Sequence, residues 1–222
     1  MPILDPGSYI DIAEDFLQGT GFGQFFSSTS SGGTAAASSN VIDASHMGIL
    51  QIATSTGSTT ARGSVAGNII TMSGEGYFET LIQLGSLSNV SEEYSFDCGL
   101  AQGYGGSTAP TDGMYFKYDR LTSTNWICTT IASSVSTGTA TTTSTAVAAG
   151  SWVKLKASWN SALSQVTYFI NGSQVAQHAA NIPSASTGMK LGSRILKSAG
   201  TSTNYFCYID YWSYRSKIAT PR

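Results

Sequence analysis

Trp152-Val-Lys-Leu-Lys-Ala-Ser-Trp159 is followed by Val166-Thr-Tyr-Phe-Ile-Asn-Gly-Ser-Gln-Val175, and the block ends with Tyr205-Phe-Cys-Tyr-Ile-Asp-Tyr-Trp212. In the first run, residues two apart share a strand face. Trp152, Lys154, Lys156 and Ser158 therefore fall on one side, and Val153, Leu155, Ala157 and Trp159 on the other. In the second run, Asn171-Gly172 separates two β-rich segments. Both residues tolerate the left-handed backbone that a two-residue hairpin requires, which makes this pair a strong turn signal. In the third run, strict alternation places Tyr208, Asp210 and Trp212 on one face and Ile209 and Tyr211 on the other. Periodicity alone does not say which face is buried, and an inward Asp210 must be hydrogen-bonded.

The same grammar extends outward. Strands are expected over Phe22–Ser28, Met47–Ala53, Ala61–Met72, Gly76–Leu84, Tyr94–Leu100, Met114–Tyr118 and Asn125–Ile131. They continue over Thr139–Val147, Trp152–Trp159, Val166–Ile170, Ser173–Gln177, Met189–Ile195 and Tyr205–Trp212. That makes about a dozen short strands separated by Gly, Ser, Asp and Thr turns, the pattern of a sandwich or barrel. Residues 1–20 read as an N-terminal arm, either a short helix or an extended lead into the first strand. Residues 21–222 read as a single β-sandwich domain, because no Pro-rich or charge-rich linker divides them. The threonine-rich stretch from Thr139 to Val147 is expected to be a flat strand with one wet face.

Composition narrows the function classes. Only 11% of the 222 residues are charged, the formal net charge is −2, and aromatics make up 11%. A phosphate backbone needs clustered Lys and Arg, and the 11 present are scattered, so nucleic acid is not an expected partner. Lys190, Arg194, Lys197, Arg215, Lys217 and Arg222 make the last third mildly basic, which reads as a solvated surface. No run approaches the roughly 18 apolar residues of a membrane span. Met1-Pro-Ile-Leu-Asp-Pro has no basic or apolar leader character, so no secretory signal is expected. Cys98, Cys128 and Cys207 cannot all pair within one chain and lie in strand-like runs; they are expected to be buried reduced thiols.

Several segments carry a family resemblance. Asp112-Gly-Met-Tyr-Phe-Lys-Tyr-Asp119, Asn125-Trp126, Trp152-Val-Lys-Leu155, Val166-Thr-Tyr-Phe-Ile-Asn-Gly172, Asn181-Ile-Pro183 and Tyr208-Ile-Asp-Tyr211 follow in order. Asp15-Phe16-Leu17 and His46-Met-Gly-Ile-Leu-Gln51 precede them. Together they resemble the concanavalin A-like (lectin/glucanase, laminin G-like) jelly rolls common among tailed-bacteriophage virion proteins. The resemblance implies an all-β fold of two antiparallel sheets packed face to face. It also implies a structural role in the virion, assembled in the host cytoplasm: a capsid decoration (cement) protein or head fibre on the major capsid protein or other virion proteins. A homo-oligomer, such as a trimer on a local threefold, fits that role. The alternative it leaves open is a carbohydrate-binding module of a tail or fibre that recognises a cell-surface glycan.

The chemistry-bearing residues point away from catalysis. Glucanases of this fold carry an E-x-D-x-x-E or E-x-D-x-E cluster on one strand, and none occurs here. On a regular strand, Glu75 and Glu79 would stand about 13 Å apart, beyond the separations of about 5 to 9.5 Å that glycosidase pairs use. Glu92 and Glu93 would point to opposite faces or share a turn. No catalytic residue, cofactor or metal is expected. His46 and His178 lack a second ligand at metal spacing and read as surface or turn residues. Asp97, Asp112 and Asp119 could offer oxygen ligands to calcium, although Asp112-Gly113 is more simply a turn. Among aromatics, Tyr104 in Gly103-Tyr-Gly-Gly106 is the expected exposed loop contact, either a loop anchor or an intermolecular one. Trp126 and Tyr77 read as core or sheet-face residues.

Overall fold

A computed structural model describes residues 9–16, 26–31, 33–38, 46, 48–56, 62–104, 106, 108–133 and 138–218. The expected strand starts at Phe22, Met47 and Ala61 lie outside these residues, as do Leu17, Arg222 and residues 1–8 of the arm. The described residues form strands only: β1 (Tyr9–Glu14), β2 (Phe26–Ser31), β3 (Thr34–Ser38), β4 (Ile49–Ala53), β5 (Arg62–Ile70), β6 (Gly76–Leu84), β7 (Glu93–Ala101) and β8 (Gly113–Asp119). Then come β9 (Ser123–Ile131), β10 (Thr139–Ala146), β11 (Trp152–Trp159), β12 (Val166–Ile170), β13 (Ser173–His178), β14 (Met189–Ala199) and β15 (Phe206–Lys217). No helix among them is long and apolar enough to cross a membrane.

The strands make two antiparallel sheets. One is eight-stranded, in the order β13-β12-β11-β6-β15-β4-β3, with β1 added on β15; the other is seven-stranded, β10-β9-β8-β7-β14-β5-β2. The expected all-β two-sheet sandwich is therefore observed. The lead segment resolves as a strand. Tyr9 to Glu14 run antiparallel to Trp212 to Lys217, and the Arg215 guanidinium lies 4.1 Å from the centre of the Tyr9 ring. A strand over Thr34–Ser38 was not expected, because an Ala/Ser run has weak β propensity and is held here by its pairing with β4.

Why the sheets pack follows from the alternation. Leu155, Ala157 and Trp159 are buried while Lys154, Lys156 and Ser158 are not, as the sequence of β11 dictates. The hairpin at Asn171-Gly172 has φ of 50° and 83°, the left-handed pair its residues suit. Between the sheets, the Phe78 ring meets Phe116 edge-on at 6.4 Å, and Phe116 meets Tyr168 at 5.2 Å. Such edge-to-face pairs add to simple burial. A buried phenol stitches the layers: the Tyr168 hydroxyl of β12 donates to the Thr129 carbonyl of β9 at 2.6 Å. All three cysteines are free and buried, and burial pushes their thiols up, away from reactivity.

Candidate functional site on the outer face of the eight-stranded sheet

The register of four central strands lays the outward side chains out in rows. Trp152 of β11 stands opposite Gln83 of β6, which stands opposite Tyr208 of β15, with Gln51 of β4 beyond. The next row is Lys154, Leu81 and Tyr211. The third is Phe169 of β12, Lys156, Glu79 and Ser213, and the fourth Ser158, Tyr77 and Arg215. Each alternates with a core residue on its own strand, so the hydrophobic interior fixes which groups face out.

Strict alternation fails at one place in β15. Ile209 opposes Ile82 and Tyr211 opposes Leu81, which leaves Asp210 as an extra residue, a β-bulge. Asp210 and Tyr211 therefore both reach the outer face, and Trp212 is fully buried. The expected grouping of Tyr208, Asp210 and Trp212 on one face is corrected accordingly. The cause lies on the other edge of β15. Residues 206–209 pair with β4 and residues 212–217 pair with β1. The bulge occupies the changeover, between the stretch paired with β4 and the stretch paired with β1. From the β6 side, the buried Thr80 hydroxyl donates to the Tyr211 carbonyl at 2.7 Å and pins the bulge in place.

The bulge converges several groups. Tyr211 donates its hydroxyl to Glu79 Oε1 at 2.7 Å. Burial, reinforced by that carboxylate, raises the Tyr211 phenol well above its usual range, so it stays a proton donor. Lys154 Nζ lies 3.5 Å from Glu79 Oε1 and Lys156 Nζ 4.0 Å from Oε2, with Lys156 also 4.4 Å from the centre of the Tyr77 ring. On the other side of the bulge, Asp210 Oδ2 pairs with His46 Nδ1 at 3.0 Å. The His46 ring stacks on Trp152 with centroids 4.2 Å apart and planes 28° from parallel. The face thus offers partly exposed aromatic rings, amide and carboxylate acceptors, and hydroxyl and ammonium donors. That mixture suits a polyhydroxylated ligand with one apolar ring face.

The other residues singled out from the sequence are not part of this face, Tyr77 excepted. Tyr104 is not exposed: it is fully buried and packs with Ala66, Ala101, Tyr115 and Ile131. The reason is Arg194, whose guanidinium donates to the Gly106 and Thr108 carbonyls at 2.9 and 2.7 Å and folds the loop inward. Arg194 is anchored in turn by Asp97, a buried ion pair. Trp126 is a core residue, whereas Tyr77 is a sheet-face one. His178 is not a surface residue but is buried, between Thr130 and Thr141. The three aspartates weighed for calcium serve separate structural ends. Asp97 takes Arg194, Asp112 accepts the Ser133 N–H at 2.8 Å, and Asp119 accepts the Leu121 N–H at 3.1 Å. Among the described residues no His, Cys, Asp and Glu side chains cluster as a metal site. Glu75 pairs with Lys217 at 3.6 Å, outside the face. Glu92 and Glu93 sit at the start of β7, bound to residues 201–203 and to Arg120. Sequence reading missed the His46–Trp152–Asp210 association, because no local pattern links residues that far apart.

Comparison with known proteins bears on the fold. The sequence profile of the family described as SO2946-like, C-terminal domain, matches residues 45–210. Among solved structures, the protein of unknown function SO2946 from Shewanella oneidensis MR-1 superposes with a TM-score of 0.68 at 17% identity, over 97% of this chain and 89% of that one. An endo-1,3-beta-glucanase from Streptomyces sioyaensis gives 0.65 at 9% identity, over 97% and 98%. Lectin II from Ulex europaeus gives 0.63 at 10%, over 94% and 98%. The architecture is thus the concanavalin A-like lectin and glucanase jelly roll, and at these identities the likeness is one of fold. No curated protein matches the sequence.

Proposed function

The chain belongs to the SO2946-like C-terminal domain family, and on that premise we propose that it is a non-enzymatic binding module that takes a saccharide on the outer face of its eight-stranded sheet. The observation that carries the reading is the β15 bulge, which brings Asp210 and Tyr211 to one face beside Glu79, Trp152 and His46. A pyranose ring would lay its C–H face on an aromatic ring and direct its hydroxyls to Glu79, Asp210 and the Tyr211 hydroxyl. Glu79 acts as an acceptor held by three neighbours, and no second carboxylate follows it on its strand as glycosidase sequences require. The test is a glycan array followed by calorimetry on the hits. Trp152→Ala and Tyr211→Phe should each weaken binding about tenfold or more, the scale of one lost stacking or hydrogen-bonding contact. Binding unaltered in both variants, or turnover of a β-glucan, would overturn the reading.

A second reading, adhesion to a phage capsid or another virion surface, is supported by the order of sequence motifs and by one feature of the structure. Val90 and Leu121 are large hydrophobics left exposed, on the turns before β7 and after β8 that the Arg120–Glu93 ion pair ties together. A lattice partner could cover them. Purified particles analysed by mass spectrometry discriminate: hundreds of copies of this chain mean decoration, a handful mean a tail module, and none removes the virion reading.

A further inference from the structure

We infer that the saccharide is acidic, and that Lys154 and Lys156 receive its carboxylate beside Phe169; this rests on the saccharide reading above. Glu79, Lys154, Lys156, Phe169 and Gly172 line one shallow pocket on the outer face. Within it, two ammonium groups face a single carboxylate, at 3.5 and 4.0 Å. Glu79 Oε1 is already engaged by the Tyr211 hydroxyl. The pocket therefore carries an uncompensated positive charge.

The other carboxylates near the face, Glu14, Asp15 and Asp210, do not line this pocket. Arg215 is matched by Asp11 at 3.4 Å, and the Asp210 carboxylate is taken up by the His46 ring at 3.0 Å, on the other side of the bulge from the two lysines. The chain as a whole has a formal charge of −2, so the surplus is local and not part of a basic surface. Two lysines are too few for a polyanionic backbone, which needs a track of phosphate contacts. They suit one carboxylate, since an ammonium binds an anion as a point charge. Lys156 is held over the Tyr77 ring and Lys154 stands nearly half exposed, so both can turn toward a ligand without breaking a buried contact. Phe169, half-buried and next to Lys156 in register, supplies the flat apolar surface a sugar ring needs and an acidic peptide does not.

The test uses the full chain and two forms of one oligosaccharide: a hexameric oligogalacturonate and the same hexamer with its carboxylates methyl-esterified. At low salt the acid form should bind about tenfold more tightly, the size of one charge-assisted hydrogen bond. That advantage should shrink as sodium chloride screens it. In Lys154→Gln/Lys156→Gln the ratio of acid to ester affinity should fall to about one, with the near-ultraviolet circular dichroism of the parent retained. Glu79→Gln should weaken the ester and strengthen the acid form, which loss of structure would not do. Equal or tighter binding of the ester overturns the inference and leaves the saccharide reading standing. Polyglutamate binding as tightly as the acid hexamer replaces the sugar with an acidic peptide. Absence of binding by either hexamer and by every glycan on the array removes the underlying reading itself.

Discussion

At residue scale, buried charge does its work where it meets backbone. Glu92 accepts the N–H groups of Thr201, Ser202 and Thr203 at 3.0, 2.8 and 3.2 Å, and Lys197 Nζ lies 3.0 Å away. The Ser202 N–H above all, with Lys197 and Thr203, lowers the Glu92 carboxyl to about 2 against the opposing pull of burial. Lys197, fully buried, passes the contact on to the Thr203 carbonyl at 2.7 Å. The turn closes this tightly because Gly200 has φ of 81° and no Cβ; a methyl there would fall on the Glu92 carboxylate. Gly200→Ala should therefore cost roughly 1–3 kcal/mol, the range for left-handed strain at a crowded site, read as a lower denaturant midpoint at unchanged slope. Thr80→Val removes the donor to the Tyr211 carbonyl and strands a buried acceptor. It should cost about 1–3 kcal/mol and weaken saccharide binding as the bulge loosens. None of this was legible in the sequence. Glu92 could be placed only in a turn or on a strand face, because its partners lie more than a hundred residues away.

At the scale of the strand, legibility depended on contrast between faces. β11, β6 and β12 fall where periodicity put them, because buried residues alternate with partly exposed ones along each and the Asn171-Gly172 turn sets Ile170 opposite Ser173. β15 offers no such contrast. Tyr208, Tyr211 and Trp212 are all amphipathic, and the bulge depends on β4 giving way to β1 on its far edge, a fact of topology. Tyr104 misled for a related reason: a tyrosine among glycines reads as an exposed tip unless one knows that Arg194 reaches across from β14. The bulge itself invites a deletion. Removing Asp210 would restore a regular ladder in which Tyr211 still faces out and Ile209 and Trp212 still face in. The deletion variant should fold, with near-ultraviolet circular dichroism close to the parent, and lose saccharide affinity because His46 no longer has its carboxylate. A variant that fails to fold would mean that the bulge is required by the sheet and is not specific to the site.

At the scale of the molecule, the two sheets are closed along one side by a histidine. His178 belongs to β13 of one sheet, and its ring nitrogens reach Thr130 of β9 and Thr141 of β10 in the other, at 3.0 and 2.9 Å. Thr130 donates its own proton to the Ala180 carbonyl at 3.0 Å, so its oxygen accepts from Nδ1–H. Nε2 is then the acceptor of the Thr141 hydroxyl, and the ring is held neutral. Burial lowers the His178 pKa, so protons bind the unfolded chain more readily than the folded one. The stability this gives is complete above about pH 6.5, the unfolded value, and drains away as pH falls below it. Glu92 adds a second loss at lower pH, because its contribution is full above the ordinary carboxyl value of 4.5 and fades as pH drops toward 2. The denaturant midpoint should hence be flat above neutrality, begin to fall near pH 6.5, and fall again below about 4.5. His178→Gln should abolish the first decline and leave the second. A variant that keeps the early decline would separate that decline from the closure between the sheets.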